Sequence, residues 1–191
     1  MALYQVTAPM LEPVSLDEVK AHVRVAVQDD DALLYALIKA ARAYVETFTH
    51  RALPAQTWDW KLDAFPGGAL VLPKPPVTSI TSITYLDSTG TSQTWLSSLY
   101  RTDLPTDPHG PRARITPAYG EVYPSTYPVT NAVTVRFVSG YSTIPPSLSA
   151  AMKLLVGHWY EHRDAVVMDQ SVAPTDLPLG AQALLWPYVV D

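Results

Sequence analysis

The chain has 191 residues, room for a sizeable apolar core, with 48% apolar and only 16% charged residues, against roughly 25% charged in ordinary soluble domains. A net charge of −5 without any Lys/Arg run excludes a protein that grips nucleic acid through its phosphates, though not a surface past which DNA slides. The absence of cysteine excludes disulfides and thiolate metal sites, and so thin a coat of charge points to a surface covered by partner subunits.

Residues 1–13, ending in Pro9-Met10-Leu11-Glu12-Pro13, read as an extended arm, without the basic-then-apolar layout of a signal peptide. No apolar run approaches the ~20 residues that cross a bilayer, so a soluble protein with no membrane partner is expected. Ser15-Leu16-Asp17-Glu18 is a capping box opening a short helix to about Val23. Gln28-Asp29-Asp30-Asp31 starts a second helix, with acids where the macrodipole favours them. Along it Leu33, Leu37, Ala41, Tyr44 and Phe48, flanked by Leu34, Ile38 and Val45, predict one buried face, and Pro54 closes the unit.

From residue 56 to 142 the period changes to two. Trp58, Trp60 and Leu62 alternate with polar neighbours. Val71-Leu72 runs into the rigid Pro73-Lys74-Pro75-Pro76 turn, and Ile80, Ile83 and Tyr85 lead to an Asp87-Ser88-Thr89-Gly90 hairpin turn. Residues 112–116 make a weak strand, and Val133, Val135 and Phe137 a clear one that ends at Gly140-Tyr141. Five or six short antiparallel strands are expected. Eighteen prolines fall between these segments as rigid turns. Pro145-Pro146-Ser147 then starts a helix whose buried face is Leu148, Met152, Leu155 and Trp159, ending near residue 163. Residues 164–175 are poorly patterned, and Leu177 to Tyr188 close the chain as a short apolar helix stopped by proline.

The predicted fold class is therefore α+β: a helical framework, made by the N-terminal helix pair and a C-terminal helix, with an inserted antiparallel β unit and extended terminal arms. Its segments are an arm and helix pair over 1–55, the β unit over 56–142, the long helix over 143–163, and a tail over 164–191.

The order of these pieces carries a resemblance. Pro13-Val14-Ser15-Leu16-Asp17-Glu18-Val19-Lys20-Ala21-His22-Val23-Arg24, then Asp29 to Leu34, then Ile38 to Glu46 and Arg51-Ala52-Leu53, resembles the opening of tailed-bacteriophage head–tail connector proteins. Leu72-Pro73-Lys74-Pro75-Pro76-Val77 leading into Ile83 to Asp87, the Phe137 to Tyr141 turn, Ala151 to Arg163 and Leu184 to Tyr188 extend it over nearly the whole chain. The resemblance implies a ring, commonly of twelve copies, docked beneath the portal protein and above a stopper or tail-proximal neck protein, in the virion and assembled in the host cytoplasm. Genome DNA would pass through its centre without specific binding. Twelve copies would carry about −60, a sign suited to repelling DNA from the lumen wall. Another neck position, as stopper or tail-completion protein, is the nearer alternative.

Chemistry is poorly supported, and neither a cofactor nor a catalytic or metal-binding residue is expected. His158-Trp159-Tyr160-Glu161-His162 matches the H-x-x-E-H zinc-peptidase pattern. A zinc hydrolase on His158 and His162 needs a third ligand, however, and downstream only Asp164, Asp169, Asp176 and Asp191 remain. Asp29-Asp30-Asp31 lacks the alternate spacing and closing Glu of a calcium loop, and helix capping is the plainer reading. Trp58, Trp60 and Trp95 could stack glycans or bases, but core filling is favoured. Leu184, Leu185, Trp186 and Tyr188 are the expected partner-interface residues: an apolar segment this short must bury against its own subunit or a neighbour, and a ring favours the neighbour. On that view, deleting 177–191 leaves a folded subunit that no longer assembles.

Overall fold

The computed structural model describes residues 1–162 and 179–190. The chain divides into two compact units: a β unit of Met1–Met10 with Pro54–Ser142, and a helical unit of Leu11–Leu53 with Thr143–Asp191. Helices and antiparallel sheets together make an α+β protein.

In the β unit, β1 (Ala2–Thr7), β2 (Gln56–Leu62), β4 (Val77–Leu86), β5 (Ser92–Thr94) and β8 (Val133–Ser139) form one antiparallel sheet in the order β1-β2-β8-β4-β5. A second sheet, in the order β3-β7-β6, contains β3 (Leu70–Val71), β6 (Tyr100–Asp103) and β7 (Arg114–Pro117). The strand β1 occupies the place where an extended arm was expected. Its partner lies some fifty residues on, with Leu3 opposite Trp60 and Gln5 opposite Trp58, so backbone pairing rather than a local apolar period makes it a strand. Strand β6 was likewise unforeseen.

At the centre of the larger sheet, Trp58 faces Phe137 and Trp60 faces Val135 across β2 and β8. On the other face of the same pair Asp59 meets Arg136 in register, with both guanidinium bonds 2.7 Å long. Hydrogen bonding from Arg136 holds the Asp59 carboxyl below its usual range. The alternation thus places the aromatics inward and a bidentate ion pair outward. Leu62, Leu70, Leu72, Ile83, Ile115 and Phe137 contribute to one buried core that draws on both sheets. Phe65 stacks on Tyr123 at 5.1 Å, and both rings pack against Trp95. The hairpin turn is organised by Asp87, whose carboxylate accepts from the Thr89 hydroxyl at 2.6 Å, the Thr91 amide at 3.0 Å and Gln93 at 3.0 Å. Those bonds pull its pKa down to about 2.

The described part of the helical unit contains α1 (Leu16–Val23), α2 (Asp31–Thr49), α3 (Pro146–Glu161) and α4 (Leu179–Leu185), followed by a 3-10 turn over Trp186–Tyr188. The capping box at α1 is formed as read: the Glu18 amide donates to the Ser15 hydroxyl at 3.2 Å, and Glu18 accepts from the Ser15 amide at 2.8 Å. These bonds, the backbone one foremost, lower the Glu18 pKa from 4.5. A carboxylate with a depressed folded-state pKa gives stability that is complete above pH 4.5 and fades as the pH falls through the lower folded value. We expect Ser15→Ala to cost about 1 kcal/mol in denaturant unfolding at neutral pH, with the difference from wild type shrinking under acid.

The start of α2 differs from a simple cap. Asp30 is the N-cap residue, but its side chain makes no capping bond. It accepts instead from the Tyr160 hydroxyl of α3, while Asp31 pairs with Lys20 of α1 at 2.5 Å. The acids therefore tie three helices together.

The buried face of α2 is also rotated from the one predicted. Leu34, Ile38, Ala41 and Val45 are fully buried, whereas Leu33 and Tyr44 stand exposed and Leu37 and Phe48 half-exposed. Two apolar stripes lie side by side on this helix, and the subunit covers only one of them. On α3 Leu148, Met152 and Leu155 are buried as predicted, while Trp159 is half-buried and meets the Tyr44 ring edge-on at 6.1 Å.

Candidate assembly surface

The C-terminal segment is anchored from α2. The Arg51 side chain, 1% exposed, donates through Nε to the Tyr188 carbonyl at 2.6 Å, and the Val190 amide donates to the Thr49 carbonyl at 3.2 Å. Nearby Arg42 bridges Glu12 at 2.8 Å and Glu46 at 3.2 Å, and Glu46 accepts from the Leu53 amide at 2.9 Å. Burial works against the Arg42 charge, but the two carboxylates outweigh it and raise the guanidinium pKa. A chain end held by buried charged and backbone groups has a fixed place on the unit.

That place sorts the four expected interface residues. Leu185 and Tyr188 are buried within the helical unit, Leu184 is half-buried, and Trp186 points outward with 67% of its surface exposed. A segment of this length cannot satisfy both demands with the same side chains, because successive residues of a helical turn face different directions. Leu185 and Tyr188 therefore belong to the subunit's own core, which changes the expectation for a truncated chain. The remaining segment, 163–178, where the long helix was expected to end and the unpatterned tail to begin, lies outside the described residues.

Elsewhere on the helical unit, exposed apolar side chains gather on α2, where Leu33, Tyr35 and Tyr44 are all open to solvent. Sequence periodicity marked Leu33 and Tyr44 but assigned them to the core. The usable signal was a helix apolar over far more than the single stripe a surface helix needs.

The candidates for chemistry do not come together. The His158 and His162 rings lie 4.7 Å apart at the exposed end of α3, and His162 Nδ1 is 3.0 Å from the His158 carbonyl. Among the described residues no group of three His, Cys, Asp or Glu side chains is placed to hold one ion; Asp164, Asp169, Asp176 and Asp191 lie outside them. Trp95 is 3% exposed, and Trp58 and Trp60 pack half-buried against the β core, so these three tryptophans serve as core filling. No described helix is long and apolar enough to cross a membrane.

Residues 12–173 match the head completion protein family. The chain belongs to that family. Three solved-structure likenesses run the full length of the chain at 26% identity and cover 96% of each matched chain. One comes from the neck of an empty GTA particle computed with C6 symmetry, with a TM-score of 0.78. Others come from the virion of a native gene transfer agent (GTA) particle, at 0.77, and from the neck of a native GTA particle computed with C12 symmetry, at 0.76. No curated protein matches the sequence. Membership agrees with the head–tail connector resemblance carried by the helix pair, the proline turn and the long helix, and makes this head completion protein a structural component.

Proposed function

We propose that this protein is a head–tail adaptor: twelve copies of it form a ring between the portal and the tail-proximal neck protein, and DNA passes through the centre. The observation that carries this is a whole-chain likeness, at 26% identity, to chains of particle necks treated with sixfold and twelvefold symmetry. A ring of identical copies needs two different contact faces on each copy, because only head-to-tail contacts close by rotation. The helical unit provides apolar surface for them. The ring works by association rather than catalysis, with free energy from apolar surface removed from water.

Charge supports passage of DNA. Six Lys/Arg balance six Asp/Glu in the β unit, whereas the helical unit holds seven against twelve, so the whole surplus of −5 belongs to the helical unit. A lumen lined by the helical unit repels DNA, and one lined by Lys/Arg would exclude that part of the reading.

The test is electron microscopy of the purified protein with and without its portal. Collars beneath the portal are expected, and solitary copies in the presence of every other neck component would remove the proposal. Trp186 is the exposed aromatic of the tail, and its exposure supports a role as an anchor for the portal or a neighbour. Trp186→Ala is expected to leave unfolding unchanged to within about 0.5 kcal/mol while reducing collar occupancy; undiminished collars would show that Trp186 is not a contact.

A further inference from the structure

The outer face of α2 is built to be covered, and we infer that a second copy of this chain covers it. Ala32, Leu33, Ala36, Ala40, Ala43 and Tyr44 are all exposed. At 3.6 residues per turn they span an uncharged arc of roughly 120° on the side away from the buried Leu34 and Ile38. A helix apolar on its core side and uncharged on the other is the pattern of a helix buried all round, and the subunit supplies only half of that burial. The alanines leave room for another backbone to approach, and Leu33 and Tyr44 supply the side chains that fill such a contact.

Charge and area point to a copy. The outer face of α2 is edged by one cation, Lys39, which lies 4.5 Å from the Tyr35 ring centroid, and it holds no acid, since Asp31 is paired with Lys20 and Glu46 is buried against Arg42. The rest of the helical unit carries the acidic surplus, including the exposed Asp17 and Asp29, so an identical unit offers Lys39 the opposite sign. A 19-residue helix is roughly 28 Å long and about 10 Å wide, giving about 280 Å² per partner, a third of the roughly 800 Å² a stable interface buries on each side. A face this small does not hold two free copies together. It closes once other contacts have lined the copies up, which suits a subunit that is single in solution and joins its neighbours only in the ring. The inference rests on the ring reading above.

The cysteine-free chain allows a direct test. Ala36→Cys and Ala40→Cys proteins are labelled with a maleimide, free and in collars assembled on the portal. Labelling is expected to slow by about tenfold or more in full collars, as in the dry centre of an interface, and to stay at the free rate with one copy per portal ring. Ala40→Glu, an exposed change to a good helix former, is expected to keep the wild-type unfolding midpoint yet give incomplete collars. Absence of wild-type collars would remove the ring reading itself. Wild-type collars with labelling at the free rate and normal Ala40→Glu collars would overturn the α2 assignment alone, as would protection already complete at one copy per portal ring, which would assign the face to the portal.

Discussion

Removing residues 177–191 is expected to unfold the helical unit rather than to spare it. Ala181 and Leu185 are fully buried and Tyr188 nearly so, and α4, which carries the first two, packs on α3 and α2. A single Leu185→Ala change is expected to cost about 2–5 kcal/mol, the range for emptying a leucine site in a core that relaxes only in part. The truncation removes three such side chains together and takes the Tyr188 carbonyl away from the buried Arg51 guanidinium, leaving an Nε donor without its acceptor. Against a total stability of about 5–15 kcal/mol, that loss is most of what holds a domain folded. Urea unfolding followed by far-UV circular dichroism distinguishes the cases. An unaltered midpoint in the truncated chain would show that the tail is dispensable to the fold, and an assembly defect alone would then be its whole effect. Trp186→Ala serves as the internal comparison, since the same segment carries it on its outward side.

The tail shows where sequence reading succeeds and where it stops. Its apolar content is legible, because Leu184, Leu185, Trp186 and Tyr188 cannot all remain in water. Which of them serve the subunit is not legible, because Arg51, the residue that fixes the turn, stands 137 positions away from its acceptor. The same limit explains α2. Both apolar stripes were visible, but a helix wheel alone does not say which stripe faces the core when two adjoin, and the choice is made by α3, more than a hundred residues later. Strand β1 was missed for the parallel reason that its partner is distant. By contrast the capping box at Ser15, the Asp87 turn, and the alternating β2 and β8 depend on groups within a few residues of one another, and all of these formed as read. Local hydrogen-bond chemistry transfers from sequence to structure. Burial, which is a property of the assembled unit, does so only in part.

This division also bears on the site. Connector membership was carried by the order of local signatures: a cap, an acidic helix start, a proline turn and a long helix. The surface proposed to do the connecting, the exposed half of α2 and the outward Trp186, is what is left after burial, and it becomes visible only when the core has been subtracted.

Gly140→Ala is expected to be among the most damaging single-methyl changes in the chain, costing about 3 kcal/mol or more. Gly140 follows β8 with φ +130°, a region that side-chain-bearing residues rarely adopt. A Cβ there would lie 2.2 Å from the Pro54 carbonyl oxygen and 2.7 Å from the Ala55 nitrogen. Those are backbone atoms at the entry to β2, where Gln56 pairs with Ser139, so relief requires prising the end of β8 away from the start of β2. The Gly140 amide also donates to the Pro76 carbonyl at 2.8 Å, which ties the same point to the turn before β4. Three strands of the larger sheet therefore meet at a site with no room for a methyl group. A graded series isolates the cause. Gly90→Ala has open space but a φ of +83°, and is expected to cost about 1–2 kcal/mol from the left-handed backbone alone. Gly67→Ala, with open space and an ordinary φ, is expected to stay within about 0.5 kcal/mol of wild type. Equal midpoints for the Gly140 and Gly67 variants in guanidinium unfolding would mean that the close approach of β2 and β8 at this point is wrong.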